Sequence, residues 1–238
     1  MNKLLTTLFA LAVACATGSV GAQTPAASAP APAANAAPAA SAPADPKSLE
    51  AKTAMCMGCH GILRYQTSFP EVYKVPMIFG QSAKYIAAAL NEYKKGDRKH
   101  PTMRGIAASL SDQDIQDMAN YFASHGKDDA PPLPDKLGKE PNAQVAGLLQ
   151  KAACVSCHGP NLSKPIDPSY PKIAGQYPDY LFVALKAYKT NNNPAVGRSN
   201  PIMGGIAKQF SNAELKALAD YVSSLEGEVT VRPESRFR

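Results

Sequence analysis

The pattern Cys-x-x-Cys-His-Gly at Cys56, Cys59, His60 and Gly61 returns 98 positions later at Cys154, Cys157, His158 and Gly159. Self-similarity of this kind means that one small folding unit occurs twice. The repeat continues beyond the motif. Gly80, Gln81, Tyr85, Leu90 and Tyr93 recur as Gly175, Gln176, Tyr180, Leu185 and Tyr188. Pro101, Met103, Gly105, Ile106, Ala107 and Ser111 recur as Pro201, Met203, Gly205, Ile206, Ala207 and Ser211. A chain of 238 residues has room for two such units and little else. With no Trp and 7% aromatic residues, each unit has a thin core unless something other than side chains fills it.

The ends of the chain read differently. Residues 1–22 carry Lys3, an apolar run from Leu4 to Ala14 and the small residues Gly21 and Ala22, the pattern of a cleaved export signal. Its apolar run is too short to span a bilayer, which takes about 20 residues. Lipidation at Cys15 is the lesser alternative, because Ala12 stands where a larger aliphatic residue is usual. Residues 23–46 are an Ala/Pro-rich leader, 18 of 24 positions being Ala or Pro, with too little apolar bulk to fold. The expected organisation is then a first domain at 47–127, a short, fairly stiff Pro-rich linker at 128–141, a second domain at 142–226 and a tail at 227–238.

Each copy reads as helical, with a helix leading into the Cys motif, a middle helix starting near Ser82 or Pro178, and a final helix. Ser111 with Asp114, and Ser211 with Glu214, are helix-start caps. Behind them Ile115, Met118 and Phe122, and Leu215, Leu218 and Val222, fall on one helical face. No strand pattern is evident, so the expected class is all-α.

Cys-x-x-Cys-His is the attachment sequence of c-type haem: the two thiols add to the two vinyl groups and the adjacent His reaches the iron. A thioredoxin-like pair would need a preceding strand and gives no reason for the His to recur. Zinc would need a fourth ligand that the second copy does not offer. Two disulfides would suit an exported protein but ignore the His. With Cys15 lost in the signal, two haems use Cys56, Cys59, Cys154 and Cys157, with His60 and His158 on the irons. Haem would also fill the thin cores.

The repeat selects the remaining ligand. Met203 is the only Met after position 118, and its counterpart in the first copy is Met103. Both are expected in loops, between a Pro and a Gly. Met77 corresponds to Lys172, and so reads as pocket packing. His100 and His125, without counterparts, read as solvated, as do Lys94, Lys95, Arg98 and Lys99 at a helix end, for which a docking patch for an acidic partner is the alternative. Arg104 follows Met103 where Gly204 follows Met203, so the first haem is expected to have the higher potential.

These residues resemble class I cytochromes c, and the duplication with its Gly-Gln and Met-x-Gly-Ile-Ala blocks resembles the periplasmic di-haem cytochrome c4 family, from residue 47 to 225. The resemblance implies two cytochrome c folds with haem propionates near the lobe interface, and electron delivery to a terminal haem-copper oxidase. It assigns attachment to Cys56, Cys59, Cys154 and Cys157, and axial ligation to His60, His158, Met103 and Met203.

Irons with both axial positions filled suit electron transfer rather than catalysis. A di-haem peroxidase would need an open iron with acid-base residues above it. A subunit carrying electrons from a periplasmic dehydrogenase is a second alternative, and an upstream cytochrome complex is another donor. The formal net charge is +6, which four haem propionates and loss of Lys3 bring near neutrality. Export excludes nucleic acid as a partner, while a peripheral membrane association through Cys15 or the leader is not excluded.

Overall fold

The computed structural model describes residues 46–126 and 132–233. The expected signal, Cys15, the leader through residue 45, the start of the linker and the last five residues lie outside them. Among the described residues no helix is long and apolar enough to cross a membrane.

The first lobe comprises α1 (Pro46–His60), α2 (Ala83–Lys95), α3 (Pro101–Ala108) and α4 (Asp112–Ser124). The second comprises α5 (Ala143–Ala152), α6 (Cys154–His158), α7 (Pro178–Lys189), α8 (Pro201–Ala207) and α9 (Asn212–Ser223). The fold is two tandem helical lobes of matching helix order. The final helices start as the sequence requires. Ser111 and Asp114 form a reciprocal capping box at α4, and Ser211 and Glu214 form its twin at α9. Their apolar faces are the centres of two separate cores. Ile115, Met118 and Phe122 pack with Phe79 and Ile86 in one, and Leu215, Leu218 and Val222 pack with Val145, Leu148 and Leu149 in the other.

Several expectations are corrected. Met103 and Met203 are not in loops: each is the third residue of a short helix, α3 or α8, started by Pro101 or Pro201. Proline suits the first helical position because the missing N–H has no partner there anyway. His100 is not solvated; it is half-buried and accepts the Met103 N–H at 3.3 Å, as Asn200 Oδ1 accepts that of Met203 at 3.0 Å. His125 is half-buried and stacked on Tyr121, with ring centroids 4.2 Å apart. Arg98, expected in solvent, is 5% exposed.

Strands, too short to leave an alternating pattern, do occur. β1 (Gln66–Thr67) and β2 (Tyr73–Lys74) make a hairpin in the first lobe. Cys56 to Gly80 spans 24 positions against 21 from Cys154 to Gly175, so the first lobe has the longer segment here. The hairpin clasps the second lobe: Lys74 pairs with Asp179 at 2.9 Å, and Glu71 with Lys186. β3 (Arg98–Lys99) and β4 (Gly197–Arg198) pair antiparallel from opposite lobes, with Arg98 opposite Arg198.

The chain beyond α9 is not a free tail at first. Val229 is buried, the Thr230 N–H donates to the Phe79 carbonyl at 3.0 Å, and Glu228 pairs with Lys172. Gly80, beside this crossing, has φ +78°, and a Cβ there would stand 2.7 Å from the Glu228 carbonyl oxygen. Only glycine fits such a place. The later part of the linker is also packed, since the Asn161 amide donates to the Pro134 carbonyl at 2.9 Å and Leu137 rests on the second core.

Candidate haem sites

One continuous cavity of about 590 Å³ runs through both lobes, and both Cys-x-x-Cys-His motifs open onto it. In the first lobe α1 continues through the motif, so Cys56, Cys59 and His60 fall on its last turn. In the second, the helix breaks at Ala153, with φ +49°, and restarts as α6. All four cysteines of the described residues are free. Burial pushes the Cys56 and Cys154 thiols up to about 11. A dithiol used for redox exchange has its attacking thiol lowered instead, so the thioredoxin-like reading loses its chemistry.

The histidines are held alike. His60 Nδ1 lies 2.8 Å from the Pro76 carbonyl and His158 Nδ1 lies 2.9 Å from the Pro171 carbonyl. A carbonyl can only accept, so Nδ1 carries the proton and Nε2 keeps its lone pair, the form a metal needs. Burial lowers both histidines, which favours the neutral ring. Met103 and Met203 line the same cavity, as does Met77. Met77 is tied through its backbone: its N–H donates to Gln176 Oε1 at 3.0 Å and its carbonyl accepts from Gln176 Nε2 at 2.8 Å.

Where the lobes meet, the cavity wall carries Arg98 and Arg198. Neither takes part in an ion pair among the described residues. Arg98 Nε is buried without a hydrogen-bond partner there. Two enclosed guanidiniums without carboxylates are costly unless anions reach them. A dianionic macrocycle in each lobe supplies such anions, and paired thiols, a free imidazole nitrogen and a thioether supply its attachment and axial donors. The residues present fit haem c. Sequence reasoning missed Arg98 and Arg198 as site residues, although their shared offset of 100 marked them as a repeated pair.

Comparison with known proteins agrees. A cytochrome c family model matches residues 143–226. Cytochrome c4 of Stutzerimonas stutzeri is 30% identical over 194 residues, covering 76% of this chain and 89% of that protein. A thiosulfate dehydrogenase electron acceptor from the same species is 30% identical over 184 residues, covering 71% and 78%. The solved cytochrome c4 of Acidithiobacillus ferrooxidans superimposes with a TM-score of 0.52 at 28% identity, covering 73% of this chain and 99% of that one. With duplicated haem-attachment motifs, a cavity that both motifs share and relatives matched over most of their length in agreement, the chain belongs to the cytochrome c4 family of electron-transfer proteins, which carry two covalently bound haem c groups.

Proposed function

We propose that Cys56 and Cys59 attach one haem and Cys154 and Cys157 the other, with His60 and Met103 on the first iron and His158 and Met203 on the second. The observation that carries this reading is the equivalence of Met103 and Met203. Each is the third residue of a Pro-started helix, its N–H is held by the side chain at the N-cap, and each faces the cavity of its lobe's motif histidine. What bound haem supplies is a one-electron iron couple. The chain's residues do the rest: Pro76 and Pro171 orient the imidazoles, α3 and α8 present the thioethers, and the two cores exclude water. A His nitrogen and a Met sulfur held to each iron would raise its potential and leave no place for a substrate, which favours a carrier over a peroxidase.

In this reading the protein is exported to the periplasm, is cut before Gln23, accepts electrons from a dehydrogenase or cytochrome complex, and delivers them to a terminal haem-copper oxidase. The proposed domain limits are 47–127 and 142–226, with residues 227–233 added to the lobe interface. Similarity to a thiosulfate dehydrogenase electron acceptor supports a sulfur-oxidising dehydrogenase as the donor class. The test is to mix oxidised holoprotein with thiosulfate and a thiosulfate dehydrogenase and follow haem reduction, then add a membrane-bound oxidase and oxygen. Rapid reduction followed by rapid reoxidation is expected. Failure of the first step removes this donor, and failure of the second removes the oxidase. Intact mass checks the cofactor load: two haem additions and no free thiol are expected.

A further inference from the structure

Arg98 and Arg198 stand opposite each other in the antiparallel pair that joins the lobes. Each lies over two tyrosines of its own lobe. Arg98 is 4.8 Å from the Tyr93 ring centroid and 6.0 Å from that of Tyr85; Arg198 is 5.3 Å from Tyr188 and 5.6 Å from Tyr180. The stacking repeats, but the hydrogen bonding does not. Tyr85 accepts from Arg98 of its own lobe, at 3.3 Å. Tyr180, its counterpart, accepts from Arg198 of its own lobe at 3.1 Å and from Arg98 of the other lobe at 2.8 Å. Enclosure would raise the Tyr180 hydroxyl, but the positive charges of Arg198 and Arg98 override it and hold the group at about 8.

We propose that Tyr180 couples the two haem sites: its single hydroxyl, shared by a guanidinium from each lobe, ties together the two fixed cations on the cavity wall where the lobes meet. Removing that shared hydroxyl then changes the field at both irons, through Arg98 at the first and Arg198 at the second. Tyr180 is a positioning residue; it acts on the haems through Arg98 and Arg198, the charged groups on the cavity wall there. A hydroxyl bonded within one lobe, as at Tyr85, has no such reach. The proposal rests on the two-haem reading above.

The experiment is a redox titration of the holoprotein, after intact mass has established two haems and the parent protein has given two waves. A single haem at that stage sinks the two-haem reading itself, before any variant is compared. Tyr180→Phe keeps the ring and removes the oxygen. The phenol oxygen is the negative end of a dipole between two cations, so its loss leaves both irons in a more positive field. Both waves are expected to move to higher potential. Tyr85→Phe is expected to move one wave. A Tyr180→Phe protein in which only one wave moves, or neither, overturns the proposal, as does a Tyr85→Phe protein in which both move. A purely structural role would lower the unfolding temperature and leave the waves in place. If Tyr180→Phe does not take up two haems, Arg98→Lys carries the test. It keeps the charge but loses the planar fork whose two terminal nitrogens reach Tyr85 and Tyr180 separately, so both waves should shift. One shifted wave, or none, again overturns the coupling.

Discussion

Gln81 and Gln176 perform the same act in opposite directions. Gln81 Oε1 accepts the Lys172 N–H and its Nε2 donates to the Lys172 carbonyl, both at 2.9 Å, while Gln176 holds Met77 of the first lobe in the same way. Each side chain is 4% exposed, so its removal strands two buried backbone groups. An unsatisfied buried group costs about 1–3 kcal/mol. Gln81→Ala and Gln176→Ala should each lower stability by about 2–6 kcal/mol on that basis. In the double variant, calorimetry should resolve separate transitions for the lobes. A single unshifted transition would count against the clamp.

Met103 and Met203 are expected to behave alike under substitution, and Met77 differently. Removing an axial thioether opens an iron to outside ligands, whereas removing a packing Met costs stability, about 2–5 kcal/mol when the site is well filled. Met103→Ala and Met203→Ala should each make one haem of two bind cyanide rapidly. Met77→Ala should leave both irons closed. The opposite result for Met77 and Met103 would reverse the assignment.

The caps of the Met-bearing helices differ in chemistry but not in role. His100→Asn should therefore be nearly neutral, because it gives the first lobe the cap that Asn200 provides in the second. His100→Ala removes the acceptor for the Met103 N–H and should cost about 1 kcal/mol. Thermal unfolding of the two variants separates these outcomes; equal losses would mean that the ring serves packing rather than capping.

The Asp179 clasp predicts a pH dependence. Burial alone would raise this carboxyl, but hydrogen bonds from Lys74 and from the Tyr180 N–H hold it below its ordinary 3.8. A carboxyl depressed in the folded state binds its proton less readily there than in the unfolded chain. Its contribution is complete above the ordinary carboxylate range and is lost as acid passes the folded value. Asp179→Asn should thus be less stable than the parent near neutrality, with the gap closing as the pH falls below the ordinary carboxylate value of 3.8. Denaturant titrations at both pH values check this, and a gap independent of pH would assign the loss to packing.

What was legible in the sequence is what chemistry fixes at short range. Two thiols and an imidazole must be close in the chain to serve one macrocycle, and Pro with Ser-x-x-Asp/Glu marks where helices begin, so Cys56, His60, Ser111 and their repeats could be read directly. Arg98 was hidden by its neighbours: Lys94, Lys95 and Lys99 make the stretch look like a wet helix end, and its burial depends on β4, a hundred positions away. Gln81 and Gln176 were visible as a repeat, but their partners lie in the other lobe. Arg104, chosen as the cation that would set one potential apart, is exposed, where screening weakens it.

The bond from Thr230 to Phe79 has a consequence for how such a chain comes into being. Synthesis releases the first lobe long before residue 230, so Phe79 must wait, its carbonyl uncovered, until almost the whole chain has emerged. The nascent protein therefore cannot finish its lobes one after the other. The first is completed by the end of the second, in a late step common to both halves.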